Sequence, residues 1–231
     1  MKKITLFLCV FLMSIVSYGQ LIIDDTDTTP FEDISTTGTP LGLSDDGEEN
    51  IVIPFDFDLD GQVSSDIRVG NNGGVLFGTT TGNLLAGNIP LDGLSPRIVP
   101  FWDDLDSETG DVFWEVRGTA PARRVIIQWD DRPHFPGQTE SNTVTFQLVL
   151  FETTQDILFV YDDVLFDDED LDNGQSATIG VVSQTTVYQY AVNDPSPLDG
   201  ISAIRFSLPS EPDQLCFPII AQNDSAAVIC L

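Results

Sequence analysis

Between Ile51 and Gly61 the chain alternates: Ile51, Ile53, Phe55, Phe57 and Leu59 are apolar, while Asp56, Asp58 and Asp60 are acidic. Successive side chains point to opposite faces only in an extended strand, so this stretch reads as a strand with one buried and one wet face. The same signature recurs at Val63 to Val69, Val75 to Phe77, Ile98 to Trp102, Val112 to Val116, Arg124 to Trp129, Thr143 to Phe151, Ile157 to Tyr161, Ala177 to Val182, Val187 to Ala191 and Ile201 to Phe206. In the longest of these, Val144, Phe146, Leu148 and Leu150 share one face, and Thr143, Thr145 and Gln147 the other. Gly70-Asn71-Asn72-Gly73-Gly74 reads as a tight turn whose Asn and Gly supply positive φ. Beyond the N-terminal segment no window of a dozen residues shows a 3.6-residue period. About ten short strands punctuated by Gly, Pro, Asn and Asp predict an all-β antiparallel sandwich, with a barrel as the other arrangement.

The two ends differ from this body. Lys2 and Lys3 precede an apolar run from Ile4 to Val16, and Ser17-Tyr18-Gly19 precedes Gln20, the pattern of a secretory signal peptide cut before Gln20. That run is too short for a spanning helix, which needs roughly 20 apolar residues, so no membrane insertion of the mature chain is expected. Cys9 lies inside the apolar run, away from the small residues that flank a lipidated cysteine. The organisation expected is a signal peptide at 1–19, an extended acidic arm at 20–34, a sandwich domain at 35–208, and a linker with a C-terminal tail at 209–231. In an exported chain, Cys216 and Cys230 predict a disulfide closing that tail, as a cap or as a sorting element.

Charge excludes whole classes of partner. The chain has 9 Lys and Arg against 37 Asp and Glu, a formal net charge of -28. Both lysines lie in the first three residues, so a chain starting at Gln20 would set 7 arginines against 37 carboxylates, for -30. Nucleic acid and anionic membranes are repelled by such a surface. Lysine Schiff-base and P-loop chemistry lack their lysine. His134, in Asp130-Asp131-Arg132-Pro133-His134-Phe135-Pro136-Gly137, is the single histidine, and no Gly-x-Ser-x-Gly elbow is present, so no catalytic residue is assigned and a non-enzymatic protein is expected.

Oxygen-rich loops instead point to calcium. Asp56-x-Asp58-x-Asp60-Gly61 copies the start of an EF-hand loop, but on a strand those carboxylates stand roughly 7 Å apart and do not converge. Asp103, Asp104, Asp106 and Asp111 lie in a segment free to fold back on itself, and Asp168, Asp170 and Asp172 alternate before Gly174; these seven are the candidate calcium ligands. No other cofactor is indicated. Acids beside Trp102 and Trp114 leave open an alternative: a glycan-binding protein or glycoside hydrolase working with a carboxylate pair.

Several segments together resemble the nidogen-type extracellular domain in its bacterial secreted form: Arg68-Val69-Gly70-Asn71-Asn72-Gly73-Gly74-Val75-Leu76-Phe77-Gly78, Val99-Pro100-Phe101-Trp102-Asp103-Asp104-Leu105-Asp106, Gly110-Asp111-Val112-Phe113-Trp114-Glu115, the Gln128-Trp129 strand, Val144 to Phe151, and Ala177 to Val181. The resemblance spans about residues 35 to 208. It implies a secreted or cell-surface module without catalytic residues, associated with adhesion to extracellular matrix or a surface polymer, protein or glycan. A structural matrix component with no discrete ligand is the third reading.

Overall fold

A computed structural model of the chain describes residues 20–79, 81–85, 87, 89–136 and 142–209, and the backbone of 216–219 and 227–230. The expected signal peptide, with Cys9, lies outside the described residues.

In chain order the strands are β1 (Ile22–Asp24), β2 (Thr39–Pro40), β3 (Glu48–Leu59), β4 (Gln62–Gly70), β5 (Gly74–Phe77), β6 (Arg97–Trp102), β7 (Asp111–Arg117), β8 (Arg124–Pro133), β9 (Thr143–Phe151), β10 (Ile157–Asp163), β11 (Thr178–Val182), β12 (Val187–Val192), β13 (Ala203–Ser207), β14 (Cys216–Ile219) and β15 (Ala227–Cys230). One sheet has the order β1-β13-β10-β9-β8-β7-β2, the other β12-β11-β6-β5-β4-β3, and all pairings are antiparallel. The expected all-β sandwich is therefore present, built from thirteen strands rather than about ten. The extra ones, β1 and β2, are three and two residues long, too short to show a period. The described residues contain no α-helix, only a distorted single turn at Asp172–Gly174 in which Asn173 has φ 55°.

The alternation of β3 is realised directly: Ile51, Ile53, Phe55, Phe57 and Leu59 are buried and Asp56 is exposed. Asp60 and Gly61, with φ of 51° and 91°, form the two-residue turn into β4, and Asp58 Oδ1 accepts the Gly61 N–H at 2.6 Å. Positive φ at both central residues is what a twisted two-residue hairpin requires, so the EF-hand-like string is turn chemistry.

Between the sheets, Trp129 stacks on Phe146 and Phe146 on Phe101, with centroids 5.1 and 5.2 Å apart. The indole Nε1–H of Trp129 donates to Gly70 O across the interface at 2.9 Å, and Tyr161 Oη donates to Pro100 O at 2.9 Å. Rings this large dominate the buried area, and their polar tips are partnered, as burial demands.

Both outer faces are also covered, which the alternation did not indicate. Residues 29–38 cross the outside of the first sheet, where Phe31 and Ile34 pack on Ile126, Val149, Leu158, Val160 and Ala203. Gln147 Nε2 donates to Glu32 O at 2.7 Å and Gln128 Oε1 accepts from Ile34 N at 2.9 Å, so the polar face of β9 is buried under this strap instead of meeting water. Outside the second sheet, Leu84 and Leu91 cover Leu76, Val99, Trp102 and Val182. The segment expected to be an extended acidic arm carries β1, paired to β13, and ends in the fully buried Ile34. At the other end β14 and β15 pair with Cys216 opposite Cys230; the expected disulfide concerns side chains outside the described residues.

Candidate functional site

The acidic segments converge at one end of the sandwich, where the β4–β5 turn, the 103–110 loop, the end of β8 and the 164–177 segment meet. Asp103 is fully buried there. Its Oδ1 accepts the Asp104 N–H at 2.9 Å and stands 3.3 Å from His134 Nε2, while its Oδ2 accepts the Ser176 hydroxyl at 2.5 Å. His134 is positioned by a single antiparallel bridge to Leu105 and by the edge of Phe166, with ring centroids 5.5 Å apart. Burial opposes the imidazolium, but the hydrogen bond and charge of Asp103, with Asp104 and Asp168 behind it, outweigh burial and raise the His134 pKa above its ordinary value. Burial likewise raises Asp104, reinforced by Asp46, Asp45 and Asp103 and opposed by His134. A serine, a histidine and an aspartate are in contact here, but the carboxylate stands in the middle. A nucleophile needs the imidazole as its immediate base, so this order does not activate Ser176.

A second polar knot lies beside the first. Arg132, 1% exposed, donates from Nη2 to Asn71 Oδ1 and from Nη1 to Thr109 O at 3.1 Å. Asn71 Nδ2 donates to Leu105 O, Asn72 Oδ1 accepts from Leu105 N at 3.1 Å, and Asn72 Nδ2 donates to Asp46 Oδ1 at 2.9 Å. Burial lowers the Arg132 pKa, while the carboxylates of Asp111, Asp106 and Asp45 oppose that shift and hold the guanidinium charged. The two asparagines were expected to supply positive φ. Only Gly73 does so, at 78°, and the asparagines are fully buried hydrogen-bonding hubs.

The expected calcium ligands therefore part into separate roles. Asp103 faces His134 and Ser176. Asp106 Oδ1 accepts the Ser107 N–H at 2.5 Å, and Asp111 Oδ1 accepts those of Val112 and Gly42 at 2.7 and 3.0 Å. Asp172 Oδ1 folds back to accept from Phe166 and Asp168 at 2.7 and 3.2 Å, and Asp168 Oδ1 accepts from Asp170 N at 3.1 Å. Among the described residues no group of three or more His, Cys, Asp or Glu side chains is gathered as a metal site. The internal guanidinium of Arg132 faces two of these candidate ligands, Asp106 and Asp111. Its signal in the sequence was faint, an arginine continuing a strand in a chain with very few cations.

The tryptophans were expected either inside the core or on a sugar cleft. Trp102 is 2% exposed, lying between the second sheet and the 84–91 cover rather than between the sheets, and its Nε1–H donates to Leu85 O at 2.8 Å. Trp114 is partly buried against the main core, and neighbouring Glu115 accepts from Thr37 at 2.7 Å and pairs with Arg117 at 3.0 Å. The Trp102 indole is thus covered by a separate segment, whereas Trp114 keeps part of its surface exposed.

A family model described as NIDO related matches residues 24–207, nearly the whole two-sheet body, from the last residue of β1 to the last of β13. No curated protein and no solved structure gives a match.

Proposed function

This chain belongs to the NIDO-related family, and from that membership we infer that it is a secreted or cell-surface binding module that adheres to an extracellular matrix or surface polymer, protein or glycan. The family is a non-enzymatic module type and points to the cell exterior. Among the described residues no helix is long and apolar enough to cross a membrane.

The observation that carries the reading is the match to nearly the whole sandwich, together with the fate of the groups a hydrolase would need. Asp103 is spent on internal hydrogen bonds, Glu115 on an ion pair, and the Trp102 indole is 2% exposed. Any calcium the module uses would sit at the loop bearing Asp168 and Asp170, where Asp170 is exposed, whereas Asp103 is buried and Asp106 and Asp111 face Arg132. The C-terminal hairpin, with Cys216 facing Cys230 in register, would then be the disulfide-closed cap or sorting element. Binding to immobilised matrix proteins and glycans, measured with and without millimolar calcium, tests the reading. Saturable retention on at least one polymer with no release of sugar is expected; glycan turnover by the purified chain would overturn it.

A further inference from the structure

The outer face of the second sheet holds a cavity of about 300 Å³ whose lining includes Gly82, Asn83, Leu85, Ile89, Arg97 and Trp102. Arg97 is 3% exposed. Its Nε donates to Ser95 O at 3.0 Å, Nη1 to Asn83 O at 3.3 Å and Nη2 to Ser95 Oγ at 3.0 Å, and its guanidinium carbon lies 4.9 Å from the centroid of the Trp102 ring. Every one of these partners is neutral. Arg68, Arg117, Arg123, Arg124 and Arg205 each have a carboxylate within ion-pair distance, and Arg132 has three acting on it. Arg97 feels only the distant charge of Glu48, whose oxygens are engaged by Arg68 at 2.8 Å and by Leu84 N at 2.6 Å. Burial pulls its pKa down to about 10, which still leaves a cation at neutral pH.

A desolvated charge is costly unless paired, and this one is unpaired in a chain with 37 carboxylates. A guanidinium carries five N–H donors in a planar fork. Three are used in the contacts above, and among the described residues two have no acceptor. Beside them Leu85 and Ile89 are 47% and 44% exposed, an apolar rim next to a buried cation.

We propose that this cavity binds a small free monocarboxylate with an apolar body, its carboxylate on the two spare N–H donors of Arg97 and its hydrocarbon against Leu85 and Ile89. A carboxylate fits because it accepts two parallel hydrogen bonds from the fork and supplies the missing countercharge. The volume sits at the lower end of ligand pockets, which limits the guest to a compact molecule. The net charge of -28 repels a polyanion, whereas a single charge delivered into the cavity meets its cation first. This site is separate from the polymer-binding reading and does not depend on it.

Calorimetric titration of the full chain with sodium hexanoate tests the site, with acetate, hexan-1-ol and sodium chloride as comparators. Saturable hexanoate binding is expected with half-saturation on the order of 1 mM, and at least tenfold weaker binding of acetate, which lacks the hydrocarbon, and of hexan-1-ol, which lacks the charge. Arg97→Gln should weaken hexanoate at least tenfold. Ile89→Glu, at the exposed rim, should do the same while leaving the melting curve in place, so the site remains testable if Arg97→Gln fails to fold. Absence of saturable hexanoate binding, equal binding of hexan-1-ol, or unchanged binding by the Ile89→Glu protein would each overturn the proposal. Polymer retention should be the same in the Ile89→Glu protein, which separates this outcome from failure of the adhesion reading.

Discussion

Replacing Arg132 with methionine tests whether an internal cation holds the loop end together. The substitution keeps most of the side-chain volume but removes the donors to the buried Asn71 Oδ1 and to the partly buried Thr109 O. It also withdraws the positive charge facing Asp111, Asp106 and Asp45. Removing one member of a buried charged network costs about 3–5 kcal/mol, because the groups left behind stay desolvated without a partner. For a body of this size each kcal/mol lowers the melting temperature by about 2–4 °C, so a fall of about 6–20 °C is expected by differential scanning calorimetry. Arg117→Met is the control: that arginine is 33% exposed and its ion pairs are solvent-screened, so about 0–1 kcal/mol is expected. The deficit of Arg132→Met should shrink as pH is lowered toward the raised pKa of Asp45, where burial and the neighbouring carboxylates already favour the protonated acid. A melting temperature no lower than that of Arg117→Met would refute the bracing role.

His134 gives a pH test of opposite sign. Its folded pKa is raised, so its contribution is complete below its unfolded pKa and is lost as pH climbs through the raised folded value. The stability gap between the native chain and His134→Gln should therefore be widest near pH 6 and narrow toward pH 9; a constant gap in chemical denaturation would refute the charge-assisted link to Asp103. Gly73→Ala should abolish folding, because a Cβ there would lie 1.7 Å from Phe101 O and Gly73 has φ 78°; soluble expression with a native melting curve would contradict this. Ile34→Ala should cost about 2–5 kcal/mol, as expected for a large-to-small change at a fully buried site, whereas a loose arm would lose almost nothing in the same urea titration.

Which features were readable from the residues follows from how locally each is encoded. β3 was legible because alternation acts within a few residues, every second side chain of Ile51 to Leu59 going inside, whereas the turn at Asp60-Gly61 emerged only with the fold. The run Ile98-Val99-Pro100-Phe101-Trp102 marked a strand but not its double burial, since a covered outer face depends on Leu84 and Leu91 coming from another segment. Gln147 appeared to be on a wet face for the same reason, and the strap bearing Glu32 and Ile34 makes it internal. At the loop end, the clustering of Asp103, Asp104 and Asp168 around His134 was half anticipated as an acidic concentration. The cations that answer it, His134 and Arg132, are remote in sequence from some of the carboxylates they face.

The residues by themselves determined the class of the molecule: a period of two with no period of 3.6 permits only sheets, and 37 carboxylates against 9 basic side chains forbid partners that need a basic surface. The fold alone decided which acids are ligands for a backbone N–H, which arginines are paired, and which tryptophans are closed off. Electrostatic and hydrogen-bond complementarity acts over a few ångströms between segments as far apart as Asp27 and Arg205, 178 residues, and only packing the two sheets and their covers brings those groups within that range.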